Sequence, residues 1–339
     1  MWLTILWILT LSGPAATTAP AGDRATVIVV VGAEGEPEYG REFAASADRW
    51  REAAARASAE VVEVGRQGSG SDDADKKQLR AALETATKTT PPTRPLWLVF
   101  IGHGTHDGRE AKFNLRGQDV SDQELAAWLK DCKRPLAVIN CASSSGPFLK
   151  RLSGPNRVVV TATRSGSESN FARFGNHLSG AVADPAADLD KDGQTSLLEA
   201  FLAASHRVNE FYKQEARLAT EHALLEDNGD GFGIPADWFR GTRATRSAKD
   251  GAPLDGTRAH QWHLVLSESE RAMPAAFRAE RDKLELEVEA LRAKKANMAE
   301  GDYYAKLEPL LVRLARLYRD HSGPDGAKEP TPEPIGGSP

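Results

Sequence analysis

The sequence predicts an α/β protein: a doubly wound, mainly parallel sheet with a C-terminal α-helical hairpin. Three observations predict it. Continuous apolar runs such as ATVIVVVGAEG at 25–35 lack the alternation of a half-exposed strand, so they are expected to be buried on both faces, as in parallel sheets. These runs alternate with helical-period segments as far as Arg164, the pattern of right-handed crossovers. Beyond about residue 266 the strand signals stop and two leucine-striped segments follow.

The elements follow in order. After the first strand, Phe43, Ala47, Trp50 and Ala54 recur at helical spacing, and AEVVEVG at 59–65 returns as a second strand. The polar stretch 68–77 reads as a loop into a helix at 78–87. PLWLVFIGHG at 95–104 is the next strand, followed by a polar excursion with a hairpin near Arg116 and Gly117. Ser121 with Glu124 three residues on is a capping box that opens a helix. PLAVINCA, SGPFLKRLS and RVVVTATR then read as strand, helix and strand. A helical stretch runs from Ser196 to about His222, a glycine-rich turn covers 227–231, and HQWHLVL at 260–266 is expected as a short last strand. The hairpin places Leu284, Val288 and Leu291 on one helix and Leu307, Leu310, Leu311, Leu314 and Leu317 on the other, joined near Gly301.

The expected organisation is a signal peptide at 1–21, an α/β domain at 22–266, a helical hairpin at 267–320 and a disordered tail at 321–339. The apolar run MWLTILWILTLSG followed by Ala19-Pro20-Ala21 has the length and cleavage-site pattern of a secretory leader, although it carries no Lys or Arg, so the protein is expected to be exported and to have no stable membrane insertion. Of the 339 residues, 40% are hydrophobic and 27% charged, the profile of a globular protein, and a net charge of −5 disfavours nucleic acid as a partner. Only Cys132 and Cys141 are present, too few for a disulfide framework. The intervening strand separates them by roughly 20 Å, so two free thiols are expected.

Ligands of open α/β sheets bind outside the carboxyl ends of the strands. Two predicted strands end in reactive residues: His103 between Gly102 and Gly104, and Cys141 after LAVIN. If these strands are neighbours, an imidazole and a thiol share one rim, and the Gly104 N–H can approach a developing oxyanion. Each feature alone has a plainer reading: a strand cysteine is commonly a small core hydrophobe, and a His between glycines can simply mark a turn.

His103-Gly104 and the turn from Cys141 to Gly146 resemble the caspase and legumain class of cysteine peptidases (clan CD), in which a His-Gly pair ends one strand and a cysteine ends the next. The resemblance implies a caspase-like fold over about residues 25–222 and a His/Cys dyad that hydrolyses peptide bonds through a thioester. The chain departs from the pattern Cys-x-Ser-Gly: three residues before the glycine stands Ser143, while Cys141 is five before it. Either the turn is longer and Cys141 is the nucleophile, or Ser143 occupies that position and the thiol is incidental. Of the two, Cys141 at the strand end is the expected nucleophile, with His103 as its base. Arg164 ends the following strand, where a surface salt bridge is expected.

A second motif is sharper in its letters. Asp188, Asp190, Asp192, Gly193, Ser196 and Glu199 fall at EF-hand loop positions one, three, five, six, nine and twelve, with Gln194 at seven. A structural Ca²⁺ is expected there, although Asp184-Pro185 interrupts any entering helix and no second full loop pairs with it. The sequence therefore supports an exported cysteine-peptidase-like hydrolase acting on polypeptides. The alternative, from a different class, is an inactive, calcium-stabilised scaffold that binds protein. A nucleotide site is disfavoured because GAEGEPEYG fits neither Gly-rich phosphate fingerprint.

Overall fold

The computed structural model describes residues 24–66, 73–88 and 93–322. The expected leader and nearly all of the expected tail lie outside the described residues.

Six strands form the main sheet: β1 (Thr26–Val31), β2 (Glu60–Val64), β3 (Leu96–Ile101), β7 (Leu136–Asn140), β8 (Arg157–Thr161) and β9 (Leu224–Glu226), in the order β2-β1-β3-β7-β8-β9. The first five are parallel and β9 runs antiparallel at the edge. Between β3 and β7, the strands β4 (Gly104–His106), β5 (Ala111–Phe113) and β6 (Val120–Ser121) make a small antiparallel sheet, the expected hairpin, with Gly117 at φ +91° in its turn.

The two-sided burial expected from the apolar runs is present. Every residue of β1, β3 and β7 is buried, and alternate side chains feed two cores. Val27, Val29, Trp97, Val99, Ala137 and Ile139 face the helices α1 (Pro37–Arg56), α5 (Phe174–Ala181) and α6 (Leu197–Gln214). Ile28, Val30, Leu98, Phe100 and Val138 face α2 (Ala74–Lys88), α3 (Asp122–Leu129) and α4 (Gly146–Leu152). Because β1 leads to β2 on one side and the chain then crosses back to β3 on the other, the order of strands reverses between β1 and β3. At the opposite end of the sheet the fully buried Arg134 donates to the carbonyls of Ala86, Arg94 and Pro95 and to Thr26 Oγ1, tying the starts of β1, β3 and β7 together.

Three sequence expectations change. The helix from Ser196 stops at Gln214, where Ala216 takes φ +49°, and the irregular segment after it leads into β9, which its three residues are too few to signal. HQWHLVL is not a strand: α7 (Thr257–His260) takes its first residue, and the rest makes only a single bridge, Ser196 to His263. A two-residue ribbon, β10 (Phe239–Arg240) with β11 (Arg243–Ala244), lies between.

The C-terminal hairpin is present but begins later than expected. Ser267 caps the short α8 (Glu268–Ala272), Pro274 separates it from α9 (Ala275–Ala293), and α10 (Glu300–Ser322) returns antiparallel, with Phe277 near Tyr318 and Arg313 bonded to Glu280. Phe277, Leu284, Val288 and Tyr303 are buried but belong to neither sheet core. Among the described residues no helix is long and apolar enough to cross a membrane. Since the two helices pair with each other and their buried residues belong to neither sheet core, truncation before Glu268 should leave a soluble, cooperatively melting protein. Insoluble product, or loss of a cooperative circular-dichroism transition, would show that the hairpin is part of the core.

Candidate functional site

The neighbouring strands anticipated from the sequence are neighbours. β3 pairs in parallel with β7, with Phe100 opposite Asn140, and the Cys141 N–H donates to the Phe100 carbonyl at 3.0 Å. His103 and Cys141 therefore leave the sheet on the same rim.

The two side chains have different immediate partners. Cys141 continues the parity of Ala137 and Ile139, so its thiol enters the core under α5 and is only 4% exposed. Gly175 of α5 lies directly on it; a Cβ there would come within 2.4 Å of Cys141 Cβ and 3.0 Å of Sγ. The start of α5 is held down by the buried Glu221 carboxylate, which accepts the N–H groups of Arg173 at 3.0 Å and Phe174 at 2.9 Å. Burial, with Glu221 adding a smaller effect, pushes the Cys141 thiol up to about 12. A nucleophilic cysteine needs the opposite shift. Cys132 is also a free thiol, and both match the expected absence of a disulfide.

The His103 ring stands in an aromatic setting, edge-on to Tyr39 at 4.9 Å and Phe43 at 5.2 Å between centroids, with Phe171 at 6.0 Å. Its Nε2 is 3.3 Å from the Glu34 carbonyl. Among the described residues no hydrogen bond joins this imidazole to the thiol.

The Ser143 hydroxyl is also committed. It donates to the Gly104 carbonyl at 3.1 Å and accepts the Gly104 N–H at 3.2 Å, so the amide expected to serve an oxyanion is already paired. The close approach requires a glycine, because a Cβ on residue 104 would lie 2.4 Å from the Ser143 carbonyl oxygen. Ser144 sits at φ +53°, a strained conformation for a residue other than glycine, with its hydroxyl buried and without a partner and its N–H donated to the Glu168 carbonyl. Ser145 and Gly146 are fastened to Thr163 at the end of β8.

Beside this turn lies a polar group that the sequence did not reveal. The Glu168 carboxylate takes the Arg164 guanidinium at 3.1 Å, which is the surface ion pair expected for Arg164, and the His222 Nδ1 at 2.6 Å. Tyr39, Phe171, Glu168, Glu221 and His222 come from scattered segments with no motif of their own, so only their meeting in space marks them.

The loop at 188–199 folds as its letters imply on the outgoing side. The Asp188 carboxylate accepts the N–H groups of Lys191 and of Gly193, which takes φ +88°. Asp190 and Asp192 each accept the N–H two residues on, and one carboxylate oxygen from each of Asp188, Asp190 and Asp192 lies within 4.8 Å of the others. Asp190, Glu199 and His260 form a second such group, His260 Nε2 lying 2.8 Å from Asp190. Ser196 caps α6 in a capping box with Glu199, whose other oxygen accepts the Leu189 N–H at 2.7 Å. The Gln194 side chain bridges Asp192 and the Ser267 N–H. A 3-10 turn, Pro185–Ala187, stands where an EF-hand has its entering helix. The donor set of hard oxygens fits Ca²⁺.

Fold and rim together define an open α/β sheet protein with a histidine and a cysteine on adjacent strand ends. No family model and no curated protein matches the chain. Among solved structures it is similar to the Drosophila initiator caspase Dronc, at 16% identity and a TM-score of 0.43 over 64% of this chain and 84% of that one. Caspase-1 from Spodoptera frugiperda gives 8% and 0.41 over 61% and 87%, and protein GSU0716 from Geobacter sulfurreducens 12% and 0.39 over 60% and 92%. At that level of similarity the chemistry of the rim rests on its own geometry.

Ser143→Ala should leave the buried Gly104 N–H and carbonyl without partners and destabilise the protein by about 1–3 kcal/mol. Urea denaturation checks this, and an unchanged midpoint would mean that the turn is not held through Ser143.

Proposed function

We propose that this chain is an exported protein of caspase-like architecture that binds polypeptide at its strand-end rim and does not use Cys141 as a nucleophile. The observation that carries this reading is the sealed thiol: Cys141 is covered by Gly175 and raised to about 12. At neutral pH such a group is almost wholly protonated, and attack on a carbonyl requires the thiolate. The half-buried Tyr39 and Phe171 rings, with the Arg173 guanidinium 5.7 Å from Phe171 and 4.3 Å from Phe211, supply apolar and cationic surface beside the rim.

One observation favours the second reading, peptide hydrolysis with His103 as base and Cys141 as nucleophile: the two residues end paired parallel strands. That reaction would need the start of α5 to lift from the thiol and Gly104 to exchange Ser143 for the substrate. Iodoacetamide labelling against pH separates the two. The binding reading expects Cys141 to label more slowly than the half-buried Cys132 at every pH up to 9, with no change in His103→Ala. Rapid labelling of Cys141 below pH 7 that is lost in His103→Ala would overturn it in favour of the dyad.

The loop at 188–199 enters this reading as a structural calcium site that holds the start of α6 against the segment 260–263. Extracellular sites of this kind have dissociation constants of ~10⁻⁴–10⁻³ M, so it would be filled outside the cell. Calcium should raise the melting temperature relative to chelator, and Asp190→Ala combined with Asp192→Ala should reduce that rise. Glu199 is spared because its carboxylate also caps α6. A shift equally large in the double variant would show that the loop binds no calcium.

A further inference from the structure

The turn after β9 carries a charge problem that the rim does not explain. Glu226, Asp227 and Asp255 are 0%, 6% and 2% exposed, and Asp230 joins them from the same turn. Asp227 is well provided for: its oxygens accept the N–H groups of Gly256 at 2.9 Å and Ala259 at 2.7 Å, at the start of α7. The other three share a different pattern. Each has one carboxylate oxygen anchored by backbone, Glu226 by the Gly229 N–H at 2.6 Å, Asp230 by the Phe232 N–H at 2.8 Å, and Asp255 by the Asp227 N–H at 2.9 Å. In each the second oxygen, Glu226 Oε2, Asp230 Oδ2 or Asp255 Oδ2, is buried with no hydrogen-bond partner within 3.5 Å, although the Ser153 hydroxyl and the Gly231 N–H lie close enough to the Glu226 carboxylate to favour its charged form. Among the described residues no ion pair within 4.0 Å serves any of the four, although the Arg258 guanidinium lies near enough to favour the charged form of Asp227.

Several unpaired carboxylates buried together are a costly arrangement unless something positive joins them. One oxygen fixed by backbone and the other free is how a carboxylate is presented as a single-oxygen ligand. The donors are all oxygen, with no imidazole or thiol, which selects a hard cation, and a mixed turn-and-loop cage without octahedral regularity favours Ca²⁺ over Mg²⁺. We propose that Glu226, Asp230 and Asp255 form a second calcium site, separate from the loop at 188–199, which fastens the β9 turn to the segment before α7. The free oxygens are not gathered within 4.8 Å of one another as those of Asp188, Asp190 and Asp192 are, so binding draws the turn onto Asp255. Burial, and then the neighbouring negative charges, accounts for the upward displacement of these acids: Asp255 to about 9, with Asp227 the largest of the like charges, and Glu226 to about 7. A bound cation would reverse that displacement.

The test uses the full chain, calcium alone as ligand, and a background of Asp190→Ala with Asp192→Ala so that the first loop is silent. Asp255→Asn removes a calcium ligand while costing little without calcium. In chelator near neutral pH, where burial already keeps Asp255 largely protonated, the variant should melt close to its parent. At calcium a hundredfold above the dissociation constant the parent should rise by roughly 5–10 °C and the variant should not. Equilibrium dialysis with calcium should show the variant binding one equivalent fewer. Glu226→Gln provides a second variant should Asp255→Asn fold poorly. Equal calcium binding by parent and variants, or a parent that calcium does not stabilise, would overturn the site. Wild type binding no more calcium than the Asp190→Ala, Asp192→Ala parent, with this response intact, would sink the earlier calcium reading alone.

Discussion

The structure depends on burying a parallel sheet on both faces. A strand such as β1 has no solvent side, so helices must cover both surfaces, and each fully buried Val, Ile or Leu contributes about 1.5–3 kcal/mol. Apart from the edge strand β2, this leaves the strand ends as the place where the sheet meets solvent and where chemistry can be placed. The same constraint governs Cys141. It is the next residue of a strand whose alternate side chains are core, and its parity carries the sulfur inward with Ala137 and Ile139. Position on the rim and exposure at the rim are therefore different properties, and here the cysteine has only the first.

The rim is held by close backbone approaches. Gly104 meets the Ser143 carbonyl, Gly146 meets the backbone of Arg164 and Ser165, and Gly175 meets Cys141, each at a distance that a side chain would occupy. Ser143 joins the first pair by two hydrogen bonds, and Glu221 fixes the helix start above the third. A site built this way is rigid. In it the Cys141 thiol is covered by Gly175 and the Gly104 N–H is already bonded to Ser143.

Acidic residues do different work at two neighbouring places. In the loop before α6 most carboxylate oxygens bond the loop's own amides, so the turn forms from local chemistry, with Asp190 and Asp192 exposed and Asp188 and Glu199 buried. In the turn after β9 the acids are withdrawn from solvent, and one oxygen of each of three is left unanswered. The difference arises from tertiary packing, since Asp255 arrives from 25 residues beyond Asp230 and closes the turn from above.

Much of the fold was legible because its signals are local. The apolar runs of β1, β3, β7 and β8, the capping boxes at Ser121 and Ser196, and the acidic spacing from Asp188 to Glu199 can be read within a few residues of one another, as can the two helices of the hairpin, although Leu311 of the expected stripe is exposed. The strand ends bearing His103 and Cys141 followed from the same alternation. Strand β9 was not legible, because three residues are too short for a periodic signal and their pairing with β8 is supplied by the fold. HQWHLVL read as a strand because its composition is apolar, yet those side chains serve α7 and the covering of α6. Whether Cys141 is a reactive thiol or a core residue could not be read from its neighbours in sequence either. That was decided by Gly175 and Glu221, which lie 34 and 80 residues away along the chain and meet it only because α5 lies across the end of β7. Burial depends on the sum of contacts made by distant segments, and the pKa of a thiol depends on that burial.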